Sequence, residues 1–271
     1  MEPFVQKKEQ FFLIEQWMKH TLKLQVGFTT RNGGNSAPPY ASFNMGYHVG
    51  DLEERVTLNR KLLAKELSFP LATWIGTEQI HDAHIQKVTS EDAGKGSVDL
   101  HSAIKGIDGI YTTEKNILLT SLYADCVPLY FYSAKGLVGL AHAGWRGTVK
   151  QIGVKMLNHW IEKENVAIED IQIAIGPCIS SQAYEVNTTV IEAVDACFEG
   201  GSKEHLYQKL AEDKYLLNLR AVNKQLLFNN GVQDSQVIES KLCTANDNRL
   251  YSHRFEGGKT GRMMSFIGLR D

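Results

Sequence analysis

Four runs rich in β-branched and aromatic residues crowd the middle of the chain, at residues 117–123, 128–132, 137–142 and 171–175. Each reads as a buried strand. Between the third and fourth, residues 147–163 read as an amphipathic helix with Ile152, Met156, Leu157 and Trp160 on its apolar side. Helices are also expected at 51–67, with Asp51 as N-cap and Val56, Leu63 and Leu67 as the stripe, and at 186–196 and 216–230. A short helix is expected at 9–24, a strand end at 27–30, and late strands at 237–240 and 263–269. Residues 31–36 (Arg-Asn-Gly-Gly-Asn-Ser) read as a loop, because Asn-Gly and Gly-Gly supply positive-φ positions. Strands and helices mixed along the whole length predict one α/β domain over residues 1–271, of unspecified strand order.

Composition narrows the class. Hydrophobic residues make up 43% and charged residues 22%, as in ordinary globular proteins, and the formal net charge is −2. That balance carries no electrostatic footprint for nucleic acid. The start of the chain lacks the apolar run of a signal peptide, and no run is long enough for a membrane span, so a cytoplasmic protein is expected. The four cysteines form no Cys-x-x-Cys pair, which argues against a zinc ribbon or a thioredoxin-type site.

Three segments carry chemistry. In Ala124-Asp125-Cys126-Val127-Pro128 an acid and a thiol sit beside a proline, which is expected to interrupt its strand because it cannot donate to a ladder. In Ala141-His142-Ala143-Gly144-Trp145-Arg146-Gly147 a buried strand ends in a histidine before a turn and a helix, whose N-terminus together with Arg146 could hold an anion. In Gln79-Ile80-His81-Asp82-Ala83-His84, an extended backbone would set His81 and His84 on opposite faces. His81, Cys126 and His142 make a good zinc set with a fourth position open for catalysis. The same Cys126 and His142 could equally be a metal-free nucleophile and base, tuned by Asp125.

These segments, with Gly27-Phe28-Thr29-Thr30-Arg31-Asn32-Gly33-Gly34, Ser42-Phe43-Asn44-Met45-Gly46, Asn59-Arg60, Gly176-Pro177-Cys178-Ile179, Ser252-His253-Arg254 and Gly261-Arg262-Met263, resemble the bacterial laccase-domain family, also known as polyphenol oxidases and described as purine nucleoside phosphorylases. The resemblance implies an α/β fold of mixed sheets flanked by helices, layered α-β-β-α. It implies zinc on His81, Cys126 and His142, which resolves the choice between metal and dyad, with copper as the lesser alternative. It implies purine nucleosides and phosphate as partners: phosphorolysis of adenosine, inosine, guanosine and 5′-methylthioadenosine, and deamination of adenosine. Copper oxidation of phenols is the rival reading, but nine histidines without one His-x-His pair suit a multicopper centre poorly. Within this frame Asp125 is expected as general acid or base, Arg31, Arg146, Arg254 and Arg262 as phosphate ligands, and Ser42 and Asn44 as ribose or base ligands.

Overall fold

In a computed structural model, which describes residues 1–21, 23–200 and 202–271, the apolar runs become the centres of two six-stranded mixed sheets. The first sheet runs, in spatial order, Phe4–Lys8, Phe11–Ile14, Leu24–Thr29, Met263–Leu269, Leu118–Tyr123 and Trp74–Ile75. The second runs Val237–Glu239, Ile171–Ile175, Val127–Ser133, Leu137–Ala143, Gly109–Thr112 and Ile85–Lys87.

The sheets are stacked face to face. Side chains alternate across a strand, so Tyr130 and Tyr132 point inward to meet Phe28, Leu119, Tyr123 and Ile267 of the first sheet, while Leu129 and Phe131 point outward. The outward side is covered by Ile152, Met156, Leu157 and Trp160 of the Ile152–Glu164 helix and by Val222, Leu226 and Leu227 of the Leu219–Asn229 helix. On the far face of the first sheet, Leu118, Met264 and Phe266 pack on Leu63, Ala64 and Leu67 of the Glu53–Leu67 helix. The layers are therefore helix, sheet, sheet, helix. Covered on both faces, the Val127–Ser133 and Leu137–Ala143 strands are buried at every residue, which is why their sequences are continuously apolar. Among the described residues no helix is long and apolar enough to cross a membrane.

Several expectations are corrected. The 9–24 segment is mainly not helical: Phe11–Ile14 and Leu24–Thr29 are paired strands around a short Glu15–His20 helix, and Leu22 lies outside the described residues. The 147–163 helix is two, Trp145–Val149 and Ile152–Glu164, broken where Gln151 turns left-handed at φ 59°. Residues Lys214–Leu217 are a strand, and the next helix begins after Asn218, whose side chain caps it. Asp51 is not the N-cap of the Glu53–Leu67 helix; Leu52 is, and the Asp51 carboxylate accepts instead from Asn44. Pro128 does not break its strand. Its carbonyl accepts from Gly176 N–H at 2.8 Å, so its missing N–H faces the point where the Ile171–Ile175 strand has already ended.

Candidate metal centre

The ends of the two sheets bring the three distant segments together. Cys126 lies in the short link between the Leu118–Tyr123 strand of one sheet and the Val127–Ser133 strand of the other. His142 is the penultimate residue of the neighbouring Leu137–Ala143 strand, paired with Pro128. His81 comes in on the loop after Thr77–Glu78. Their ligand atoms all lie within 4.8 Å of one another, and the two imidazoles meet edge to face with centroids 4.8 Å apart. His81 does not take the extended backbone expected of it: its φ is 60°. His84 turns away and meets the Gly106 carbonyl.

That left-handed turn has a physical cause. It points the successive N–H groups of Ile80, His81 and Asp82 at one carboxylate, Asp108, at 3.1, 3.0 and 3.0 Å. Consecutive amides around a left-handed residue form an anion-binding concavity. The same carboxylate lies 2.8 Å from Nδ1 of His142, and the Asp108 carbonyl accepts from the His142 N–H at 2.8 Å. Asp108 thus fixes the backbone of one imidazole and the tautomer of the other, leaving Nε2 of His142 to face the group. Burial pushes the pKa of this carboxyl up, but the His142 contact and the amides more than offset it, and Asp108 stays ionised. Sequence reading missed Asp108; an aspartate beside a glycine at a strand start carries no signal.

Other contacts seat the loop. The Gln79 amide bonds both the N–H and the carbonyl of Leu122, in the manner of an added strand. Lys150 holds Asp82 across to the helical segment after His142. Gly144 leaves space for the site: a Cβ there would fall 3.0 Å from both the Cys126 sulfur and the His81 ring.

Charges follow this geometry. Burial pushes the Cys126 thiol up, yet the imidazoles of His142 and His81 outweigh it and bring it down to about 6. Burial pushes His142 down, and the Cys126 sulfur and Asp108 outweigh it and bring it up to about 9. His48, at the edge of the site with part of its surface in solvent, is lowered to about 4 by burial and then by Arg262 and Arg60.

The expected substrate residues divide. Tyr184 feels both Arg254 and Arg146, as well as Cys126, and Arg254 lies 5.2 Å over its ring. Arg262 is lowered by burial, partly offset by the neighbouring charges of Cys126 and Asp125. Arg262 thus lies near the Cys126 sulfur, whereas Arg254, which donates to the Glu185 carbonyl at 2.7 Å, and Arg146, 4.4 Å over the Trp145 ring, lie near Tyr184. Arg31 does not join them. It is ion-paired to Glu256 at 2.9 Å, stacked on Tyr251, and bonded to the Ala41 and Leu250 carbonyls. Ser42 and Asn44 are also spent within the protein. The Ser42 hydroxyl donates to the Arg31 carbonyl and accepts from Gly34. Asn44 is fully buried; its amide donates to Gly46 and Asp51 and its oxygen accepts from Gly46 and Arg262. Asp125, at φ 87°, accepts from Thr244 Oγ1 at 2.6 Å on one oxygen and from Arg254 N–H at 2.7 Å on the other. Its carboxylate anchors two loops beside Cys126, which leaves it poorly placed as the general acid or base.

Comparison with known proteins places the chain in a family. Residues 25–270 match the family model described as multi-copper polyphenol oxidoreductase laccase. A purine nucleoside phosphorylase YlmD of Bacillus subtilis is 43% identical over 99% of this chain and 98% of its own length. A purine nucleoside phosphorylase of Staphylococcus saprophyticus is 36% identical over 98% of this chain and 99% of its own length. The crystal structure of YlmD from Geobacillus stearothermophilus superposes with a TM-score of 0.96 at 40% identity, covering all of both chains.

Proposed function

Because the chain belongs to the multi-copper polyphenol oxidoreductase laccase family, which its similarity to the YlmD phosphorylases places in their company, we propose that it is a zinc-dependent purine nucleoside phosphorylase. Its substrates on this reading are adenosine, inosine, guanosine and 5′-methylthioadenosine with phosphate, and it also deaminates adenosine. A cytoplasmic location suits its four free thiols.

One observation carries the reading: two imidazoles and a thiolate converge on one point, with Arg262 near the sulfur and Arg146 and Arg254 near Tyr184. The donor set fits zinc. Bond lengths of about 2.0–2.3 Å put neighbouring ligands of a tetrahedral site about 3.4–3.8 Å apart, and the 4.8 Å limit here needs only a small contraction. Asp108 behind His142 is the outer partner that a zinc-bound histidine requires. When bound there, zinc supplies a Lewis acid for a polar atom of the purine or for water.

The protein's own groups do the rest. Arg146, Arg254 and Arg262 offer planar donor forks to phosphate as it approaches the sugar from the side opposite the leaving base. Asp125 holds Arg254 and the 244 loop in place beside Cys126. Copper is the alternative occupant. Among the described residues only this one group of three or more clustered His, Cys, Asp or Glu is found, fewer sites than a multicopper oxidase uses.

Incubation with adenosine and phosphate, followed by chromatography, should release adenine and ribose 1-phosphate in equal amounts, with inosine as the deamination product. Metal analysis of protein expressed without added copper should find zinc. Fully metal-loaded protein that liberates no base from any of these nucleosides would refute the assignment.

A further inference from the structure

Two thiols that this reaction leaves unused lie side by side. Cys178 and Cys243 face each other across an isolated parallel bridge, with the Thr244 N–H donating to the Cys178 carbonyl at 3.2 Å. Residues so paired have Cα atoms about 4.8 Å apart with side chains on the same side, inside the range of about 4.4–6.8 Å that a disulfide spans. Both sulfurs are free, and each accepts one hydrogen bond. Arg220 Nη2 lies 3.4 Å from the Cys178 sulfur, and the Ser180 N–H lies 3.2 Å from the Cys243 sulfur. Among the described residues the buried Arg220 Nε finds no partner. Burial pushes the Cys178 thiol up, and the neighbouring Arg220 guanidinium only partly offsets it, so Cys178 keeps its proton. Cys178 is fully buried, whereas Cys243 lines an open groove with Lys241, Asn246 and Arg249, so a small oxidant reaches the pair from that side.

We propose that Cys178 and Cys243 are an oxidant-accepting dithiol, joined by hydrogen peroxide into a reversible disulfide. The Cys243 thiolate attacks one peroxide oxygen; the O–O bond breaks, and the departing hydroxide is protonated to water, leaving a sulfenic acid. The Cys178 sulfur then displaces the hydroxyl from Cys243. The S–S bond forms, and the hydroxyl leaves with the Cys178 proton as a second water. The thiols lose two electrons in all and peroxide gains them. The residue after each cysteine holds Asp125: the Ile179 N–H meets its carbonyl at 3.0 Å and the Thr244 hydroxyl its carboxylate at 2.6 Å. The new bond ties these two segments together next to metal ligand Cys126.

The test treats metal-loaded protein with hydrogen peroxide, denatures it, titrates free thiols and identifies linked peptides by mass spectrometry. The four thiols should fall to two, with a Cys178–Cys243 linkage that dithiothreitol reverses. The Cys243→Ser variant should form no linkage. Mapping on the unmodified chain keeps the test valid even if that variant folds poorly. Thiols that all stay free, a linkage through Cys126 or Cys197, or thiol loss without any linkage would each overturn the proposal. The readout uses no nucleoside, so its failure is distinct from failure of the phosphorylase reading.

Discussion

Replacing Asp108 by asparagine tests the logic of the site most directly. The side chain is wholly buried, and each oxygen takes two donors: Oδ1 meets His142 Nδ1 and the His81 N–H, Oδ2 the amides of Ile80 and Asp82. Asparagine keeps the shape but must turn its NH₂ towards one of these donor pairs. If the oxygen stays with His142, the Ile80 and Asp82 amides lose their acceptor; if it flips, the His142 ring and the His81 N–H lose theirs. Two hydrogen bonds to a charged acceptor contribute about 1.5–3 kcal/mol each, so the loss is about 3–6 kcal/mol. At about 2–4 °C per kcal/mol for a chain of this size, calorimetry should show Tm lower by about 6–24 °C. Metal affinity, read by competition with a chromophoric chelator, should weaken by about 10–100-fold, the usual cost of losing such an outer partner. A variant within twofold of the parent affinity and within a degree of its Tm would show that Asp108 does not organise the site.

Four further outcomes follow from the same geometry. Gly144→Ala should weaken metal binding by at least about tenfold in the same assay while circular dichroism stays unchanged, because its Cβ meets the Cys126 sulfur and the His81 ring but no core residue. In metal-free protein, alkylation of Cys126 should rise through pH 6, not through 9, because a thiol pKa lowered to about 6 leaves the thiolate dominant above that value. The His142→Gln variant should move that midpoint back up; an unmoved midpoint would exclude His142 as the cause. Arg146→Ala should raise KM for phosphate without changing metal content, since Arg146 is exposed and its guanidinium lies over Trp145. Arg31→Ala should instead lower urea stability by about 1–3 kcal/mol and leave the phosphate KM alone, since its charge is already paired with Glu256.

Local chemistry made much of this protein legible from the sequence. Continuous apolar runs at 117–123, 128–132 and 137–142 announced buried strands, and the apolar stripe of the 152–164 helix announced its packing face, since periodicity is a property of neighbouring residues. The ligand types were likewise plain in the motifs around His81, Cys126 and His142. Their convergence was not, because it depends on the ends of two different sheets lying against each other. Tertiary structure alone decided the roles of polar residues. Asn44, Ser42 and Arg31 look like ligands in a motif but are saturated by the loops they hold, and Asp108 looks like nothing in its sequence yet joins both histidines. A side chain's type sets what it can donate or accept, but which partner takes that capacity is settled by segments far away in the chain, and only folding brings those together.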